Sequence, residues 1–289
     1  MPDYQYDLVV IGSGPAGQKA AIAASKLGKR TAIIDRRERI GGVSLHTGTI
    51  PSKTIREAIM NLTGFRERSF YGKDYRVKDK ISVADLAIRV QAVLNRELQV
   101  VRTQIQNNNI AVVEGVGSFK DDHSIEVKNG SDAKTVTSQF ILVACGTRPA
   151  HNPLINVDAA RIFDSDQLGG FGEIPREIIV VGAGVIGLEY ASMFSALGTR
   201  VTIVEQRPTV LDFVDREIID CLLYHLRRRE AILRFGEKVT SVSINEKGRV
   251  ITQLESGKTI QGDALLYTVG RQANSDLLNL PAAGLNADS

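Results

Sequence analysis

The sequence runs to 289 residues with a formal net charge of +3, 43% hydrophobic and 24% charged residues, which gives room for two domains of ordinary globular composition with a core each. So small a charge offers no basis for gripping nucleic acid or an anionic membrane surface, and no apolar run approaches the ~18 residues of a membrane span. Two cysteines, Cys145 and Cys221, are too few for a disulfide framework, so a cytoplasmic setting is expected, without a metal site.

Residues 1–7 carry neither a basic region nor a long apolar segment, so a secretory signal is not expected. Residues 6–11 form a short apolar run that ends in Gly12-Ser13-Gly14-Pro15-Ala16-Gly17. A helical stretch follows to about residue 27, where Gly28 stops it, and a second buried strand at 31–34 ends at Asp35. Residues 50–109 read as mostly helical, with Pro51 in a first-turn position and 84–105 as one amphipathic helix. From 111 to 136 the period shortens to strands with turn residues between them, notably Asn129-Gly130, which predicts an antiparallel meander. A further apolar strand at 139–144 leads into Cys145-Gly146-Thr147-Arg148-Pro149.

The pattern then recurs. A strand at 177–181 is followed by Gly182-Ala183-Gly184-Val185-Ile186-Gly187, a helix to about residue 197, and a strand at 201–204 that ends at Glu205. A second meander at 239–260 and a strand at 264–269 lead to Gly270-Arg271. Gly12 and Gly182 are as far apart in sequence as Asp35 and Glu205, whereas Gly146 and Gly270 are closer, so the first copy carries an insertion, the helical block after Arg37. Two copies of one architecture point to an α/β fold with two Rossmann-like dinucleotide-binding domains, each a three-layer ββα sandwich with an antiparallel meander.

Each glycine cradle fits a pyrophosphate. Gly12 allows the tight turn, Gly14 lets phosphate approach the backbone at a helix N-terminus, and Gly17 lets helix and strand pack closely. Gly182, Gly184 and Gly187 repeat these roles, and Asp35 and Glu205 stand where a carboxylate accepts from ribose hydroxyls. Arg207, two residues beyond Glu205, either pairs with a 2′-phosphate or is solvated; the triplet Arg227-Arg228-Arg229 reads as a solvated helix end.

The segment Gly41-Gly42-Val43-Ser44-Leu45-His46-Thr47-Gly48-Thr49-Ile50-Pro51-Ser52-Lys53 resembles the active-site segment of the pyridine nucleotide–disulfide oxidoreductases, which include dihydrolipoamide dehydrogenase, glutathione reductase and mercuric reductase. The likeness extends through residues 145–149 and Thr268-Val269-Gly270-Arg271. It implies FAD in the first cradle, with Arg36, Gly42, Ser44, Thr49, Lys53, Gly117, Ala144 and Gly146 joining Gly12, Gly14, Gly17 and Asp35. It implies NAD or NADP in the second, with Val239 and Gly270 lining the nicotinamide site beside Gly182, Gly184, Gly187, Glu205 and Arg207. Gly115 resembles part of the adenine-side backbone contact, and His46 reads as a polar loop residue. The implied division is an FAD-binding domain at 1–150, an NAD(P)-binding domain at 151–272 and the start of a return to the FAD domain at 273–289. The family's dimerisation domain would follow, so a homodimer is expected of a longer form and not of these residues alone.

The family's two redox cysteines fall at Ser44 and Thr49. Hydroxyls form no disulfide, so dithiol exchange is excluded. The branch that keeps the scaffold without that pair is the soluble pyridine nucleotide transhydrogenases, which residues 47–54, 144–149 and 161–166 resemble. The resemblance implies hydride passage between NADPH and NAD⁺ through flavin, with Lys53 near the flavin N5 and Glu189 as its partner. A carboxylate at position 205 should repel a 2′-phosphate, which sets NADH ahead of NADPH. An NADH-dependent diaphorase or quinone reductase, a protein like dihydrolipoamide dehydrogenase without disulfide activity, and a dinucleotide-binding fragment without turnover are the alternatives.

Overall fold

The computed structural model describes residues 3–36, 40–72, 74–153, 155–167 and 172–287. By internal packing the chain forms two units: Met1–Pro51 with Gln91–Arg148 and Gln272–Ser289, and Ser52–Val90 with Pro149–Arg271.

In the first unit, β1 (Tyr6–Ile11), α1 (Pro15–Lys26) and β2 (Thr31–Asp35) make the opening strand–helix–strand. The short α2 (Gly42–His46) and then α3 (Thr49–Leu62) follow in the chain, then a single turn α4 (Arg68–Tyr71) and α5 (Val83–Asn107), of which residues 52–90 belong to the second unit. β3 (Ala111–Glu114), β4 (Val116–Phe119), β5 (Ser124–Asn129) and β6 (Asp132–Val143) complete a six-stranded sheet of order β3-β2-β1-β6-β5-β4. β3 is a parallel neighbour of β2 and so belongs to the Rossmann sheet rather than the meander. β6 is one strand with two halves: residues 132–137 pair antiparallel with β5, while 138–143 pair parallel with β1. The sequence pattern of a meander strand followed by a separate buried strand reflects this change of partner partway along one strand. Over 138–143 the edge away from β1 has no strand beside it among the described residues, and Phe140, Leu142 and Val143 are exposed there.

Period-two alternation decides which face each strand residue serves. Val10 and Ile33 point to the helical side, packing with Ala21 of α1 and Ile105 of α5. Val9, Ile11, Ala32 and Ile34 point to the other, where Phe119, Ile125, Val127 and Val136 of the meander cover them. Helices, parallel sheet and meander are thus the three layers.

The second unit repeats the plan. After β7 (Thr147–Pro149) come β8 (Ile162–Asp164), β9 (Glu177–Val181), α6 (Val185–Ala196), β10 (Arg200–Glu205), α7 (Arg216–Arg227) and β11 (Ile232–Phe235). The meander is β12 (Val239–Ile244), β13 (Val250–Leu254) and β14 (Thr259–Gly262), and β15 (Ala264–Tyr267) closes a parallel sheet of order β11-β10-β9-β15-β8. A short β16 (Arg271–Ala273) precedes a 3₁₀ turn at Leu280–Ala283. Val250, Leu254 and Ile260 cover one face of the sheet. The other is covered by α6 and α7 together with Ala58, Ile59 and Leu86, so the helical insertion supplies part of this core.

Candidate functional site

The first cradle is built by close backbone contact. Gly12 takes φ +110, and a Cβ there would fall on the Ala144 carbonyl; a Cβ on Gly17 would fall on the Gly12 carbonyl. Those two positions have no room for a side chain. Gly14 differs: its backbone is ordinary (φ −66, ψ 176), and nothing lies within 4 Å of where its Cβ would be. It caps α1 without a side-chain hydrogen bond, so the helix's first amides face an open space. That arrangement fits an anion lying against the backbone.

Asp35 closes this cradle. Its Oδ2 accepts from the Ser13 amide at 2.9 Å and from the Ser13 hydroxyl, which in turn accepts from the Gly41 amide at 3.1 Å. Ser13 therefore ties the turn, the acid and the 41–42 loop together. Gly42 (φ +62) presses on the cradle so closely that a Cβ would lie 2.7 Å from the Gly14 Cα. The cleft outside this cradle is lined by Asp35, Arg36, Gly42, Ser44, Gly115, Gly117, Ala144 and Gly146, all singled out from the sequence. Thr49 opens α3 and is not among the lining residues. His46 places Nε2 3.3 Å from the Ile40 carbonyl oxygen.

The segment after residue 272 contributes residues that the sequence did not single out: Asn274, Leu277 and Leu278 also line the cleft. Arg148 holds that segment, donating to the Ala273 carbonyl at 3.1 Å, to Asn274 at 3.2 Å and to Asp276 at 2.8 Å. Asn274 donates to the Cys145 carbonyl at 3.0 Å and its amide donates to Gly146. The Arg148 guanidinium holds the Asp276 carboxyl below the usual carboxylate range. No local signal links residue 148 to 276; only the folded chain does.

The second cradle matches the first glycine for glycine. Gly182 has φ +97, with its Cβ position 2.6 Å from the Thr268 carbonyl, and Gly187 packs on the Gly182 carbonyl. The Thr268 hydroxyl donates to Val181 (2.9 Å) or Gly182 (3.0 Å), pinning the turn. Gly184 caps α6 with ordinary backbone angles and open space beside it. Val239 and Gly270 line the adjoining pocket together with Glu205 and Arg207.

Glu205 is buried, with 5% of its surface exposed. Its Oε2 accepts from the Ala183 amide at 2.8 Å, as Asp35 accepts from Ser13. Its Oε1 accepts from the Arg207 amide and from Arg207 Nε, each at 3.0 Å. Burial alone would push this carboxyl up; the Arg207 guanidinium and the two amides outweigh it and hold the group below the ordinary glutamate range.

Lys53 on α3 and Glu189 on α6 meet within the second unit, Nζ to Oε1 at 2.5 Å. Glu189 is largely buried and Lys53 largely exposed. This is the pairing expected from the sequence.

With that geometry in view, similarity to known proteins is specific. A BCG strain of Mycobacterium bovis has a soluble pyridine nucleotide transhydrogenase 50% identical over 283 residues, covering 97% of this chain and 60% of that protein. One from Chromohalobacter salexigens is 39% identical over 287 residues, covering 99% and 61%. Among solved structures, the HOCl-induced flavoprotein disulfide reductase RclA of Escherichia coli, as its Cu(II) complex, superposes with a TM-score of 0.85 at 27% identity, covering 100% of this chain and 61% of that one. The chain thus spans about 60% of the length of the curated relatives it matches. The sequence profile of the pyridine nucleotide-disulphide oxidoreductases matches residues 6–289, and the chain belongs to that family.

Proposed function

We propose that the first cradle holds FAD, that the second holds a nicotinamide dinucleotide, and that together they pass reducing equivalents between NADPH and NAD⁺. The observation that carries this reading is the pair of matched cradles: two open glycine helix caps, each with a strand-end acid bonded to the neighbouring amide, in a chain with Ser44 and Thr49 at the redox positions. FAD, when bound, would supply the two-electron redox chemistry that links one nicotinamide to the other.

The protein's own residues orient and hold. Gly14 and Gly184 admit pyrophosphate to the helix amides, and Asp35 lies at the ribose of the first dinucleotide. Lys53, paired with Glu189, is the cation that the family resemblance sets beside the flavin ring, where it would stabilise negative charge on the reduced form. Neither residue needs to move a proton. Free thiols at Cys145 and Cys221 suit a reducing, cytoplasmic location, and a homodimer is the assembly we assign to a form as long as the relatives.

The test is anaerobic titration of the flavin-loaded protein with NADPH, followed by NAD⁺. Bleaching of the flavin band and its recovery, with NADH appearing, is the expected result. A flavin that binds but is reduced by neither NADH nor NADPH would overturn the reading.

A further inference from the structure

The end of the second unit's sheet opposite its glycine cradle holds a cavity of about 760 Å³, where β8, β9, β10 and β15 begin. Gly182 follows the far end of β9, five residues on, so cavity and cradle lie roughly 15 Å apart at about 3.3 Å per residue. Guanidinium groups dominate the lining: Arg161, Arg176, Arg200 and Arg249, against the carboxylates of Glu173, Glu177 and Asp263.

Two of those acids are already committed. Glu177 accepts from Arg249 through Oε2 and is paired with Arg200 through Oε1. Asp263 accepts from Arg249 at 2.6 Å through Oδ1, and from the Arg176 and Glu177 amides, each at 3.0 Å, through Oδ2. Arg249 thus bridges both acids. The other three arginines have donors to spare. Arg161 reaches only the Asp263 carbonyl, at 3.3 Å, and lies against the Gly248 turn. The Arg176 side chain has no hydrogen-bond or ion-pair partner among the described residues. Arg200 spends Nη2 on Glu177, and its Nε and Nη1 have no partner among the described residues. Glu173 is exposed and pairs with none of the four among the described residues.

We propose that this cavity binds a small multivalent anion carrying two or more carboxylate or phosphate groups. Arg161, Arg176 and Arg200 are its contacts, and Arg249 is the brace that keeps Glu177 and Asp263 occupied. Three cations around one concave space repel one another, and an anion between them relieves that repulsion. Each planar fork takes one carboxylate or phosphate through paired N–H bonds, which sets the need for several such groups on one ligand. The one aromatic ring among the described lining residues, Phe163, is buried in the sheet, so nothing offers a face on which a base would stack. The ligand is therefore a compact anion rather than a nucleotide. The site does not depend on what the glycine cradles hold.

Isothermal titration of the 289-residue protein with citrate and with inorganic pyrophosphate tests this; the two probes separate a carboxylate ligand from a phosphate one. Wild type should bind at least one of them, and less tightly as salt is raised. Arg176→Gln and Arg161→Gln should each weaken that binding by roughly 10- to 100-fold, the loss of one charge-assisted contact. Glu173→Gln, which removes a like charge from the rim, should strengthen it. The Arg176 side chain has no internal bond to lose among the described residues, so Arg176→Gln should unfold in urea at the wild-type midpoint. Binding left unchanged by both arginine variants, as for an anion seated in a glycine cradle, would overturn the proposal. So would the failure of wild type to bind either probe at millimolar concentration.

Discussion

Ser44 and Thr49 stand at the positions the family resemblance gives to a redox pair, and the two thiols the chain has lie elsewhere, Cys145 at the wall of the first cleft and Cys221 exposed on α7. Electron flow through flavin alone does not need either sulfur. The Cys145→Ser, Cys221→Ser double variant should keep NADH-driven flavin reduction within about twofold by stopped-flow absorbance, since neither thiol is a nucleophile in the scheme. A collapse of that rate would put a thiol into the mechanism. Glu205 gives a second residue-scale expectation. Its folded pKa lies below the ordinary 4.5, so its stabilisation is present above that value and is lost as pH falls through the folded pKa. Acid titration of stability should therefore be shallower below pH 4.5 in Glu205→Gln than in wild type; identical slopes would mean the ion pair with Arg207 does not hold in solution. Ser44 and Thr49 were legible through the family resemblance and Glu205 from the glycine spacing, but the grip of Arg207 on Glu205 was not. A sequence shows that an arginine follows an acid by two positions; only side-chain geometry shows where the guanidinium turns.

At the scale of an element, each glycine cap joins two demands that mutation can separate. Gly12 and Gly182 have positive φ and backbone carbonyls in the way of a side chain, whereas Gly14 and Gly184 have ordinary angles and free space. Gly12→Ala and Gly182→Ala should each cost about 2–4 kcal/mol of stability, through backbone strain and forced displacement. Gly14→Ala and Gly184→Ala should change stability by less than about 1 kcal/mol, because alanine adopts those angles freely. Yet the new methyl stands where phosphate would approach, so Gly14→Ala should lose flavin and Gly184→Ala should lose nicotinamide dinucleotide. Urea unfolding with flavin absorbance and nucleotide titration separates the two classes; equal destabilisation at all four positions would show that the caps serve packing alone. These elements were readable because strand, glycine turn, helix and acid recur with one spacing. β3 and β6 were harder: both have strand composition, and nothing local in Ala111–Glu114 says that its partner is β2 rather than β4.

For the whole molecule, the least legible feature is where the helical insertion packs. Ala58, Ile59 and Leu86 carry a helical period that promises one buried face, but periodicity names no partner, and they complete the core around Leu188, Tyr190 and Leu266. The burial of Tyr190 in that core pushes its phenol well above the usual range, so it stays neutral and serves packing. Tyr190→Ala should accordingly destabilise the second unit by about 3–5 kcal/mol, with a melt monitored by nucleotide-protected proteolysis; a neutral effect would mean the core tolerates a void there.

The unaccompanied half of β6 has a consequence for handling the protein. Past Ser138, whose amide donates to the His123 carbonyl, and the Phe140 carbonyl, which accepts from the Ser138 hydroxyl, this half has no strand beside it among the described residues and exposes Phe140, Leu142 and Val143, and the run Phe140-Ile141-Leu142-Val143 has no charge or proline to interrupt it. Such an edge is a template for another extended segment, including the same segment of a second molecule. Expressed at high concentration, these 289 residues should seed their own sedimentation, and the rate should climb steeply with concentration because two edges must meet. Phe140→Lys, which plants a charge on a side chain already 64% exposed, should slow that loss in light-scattering time courses while flavin content stays as before. In that sense the strand that anchors the first unit against β1 also sets the upper limit on how much of the protein can be kept in solution.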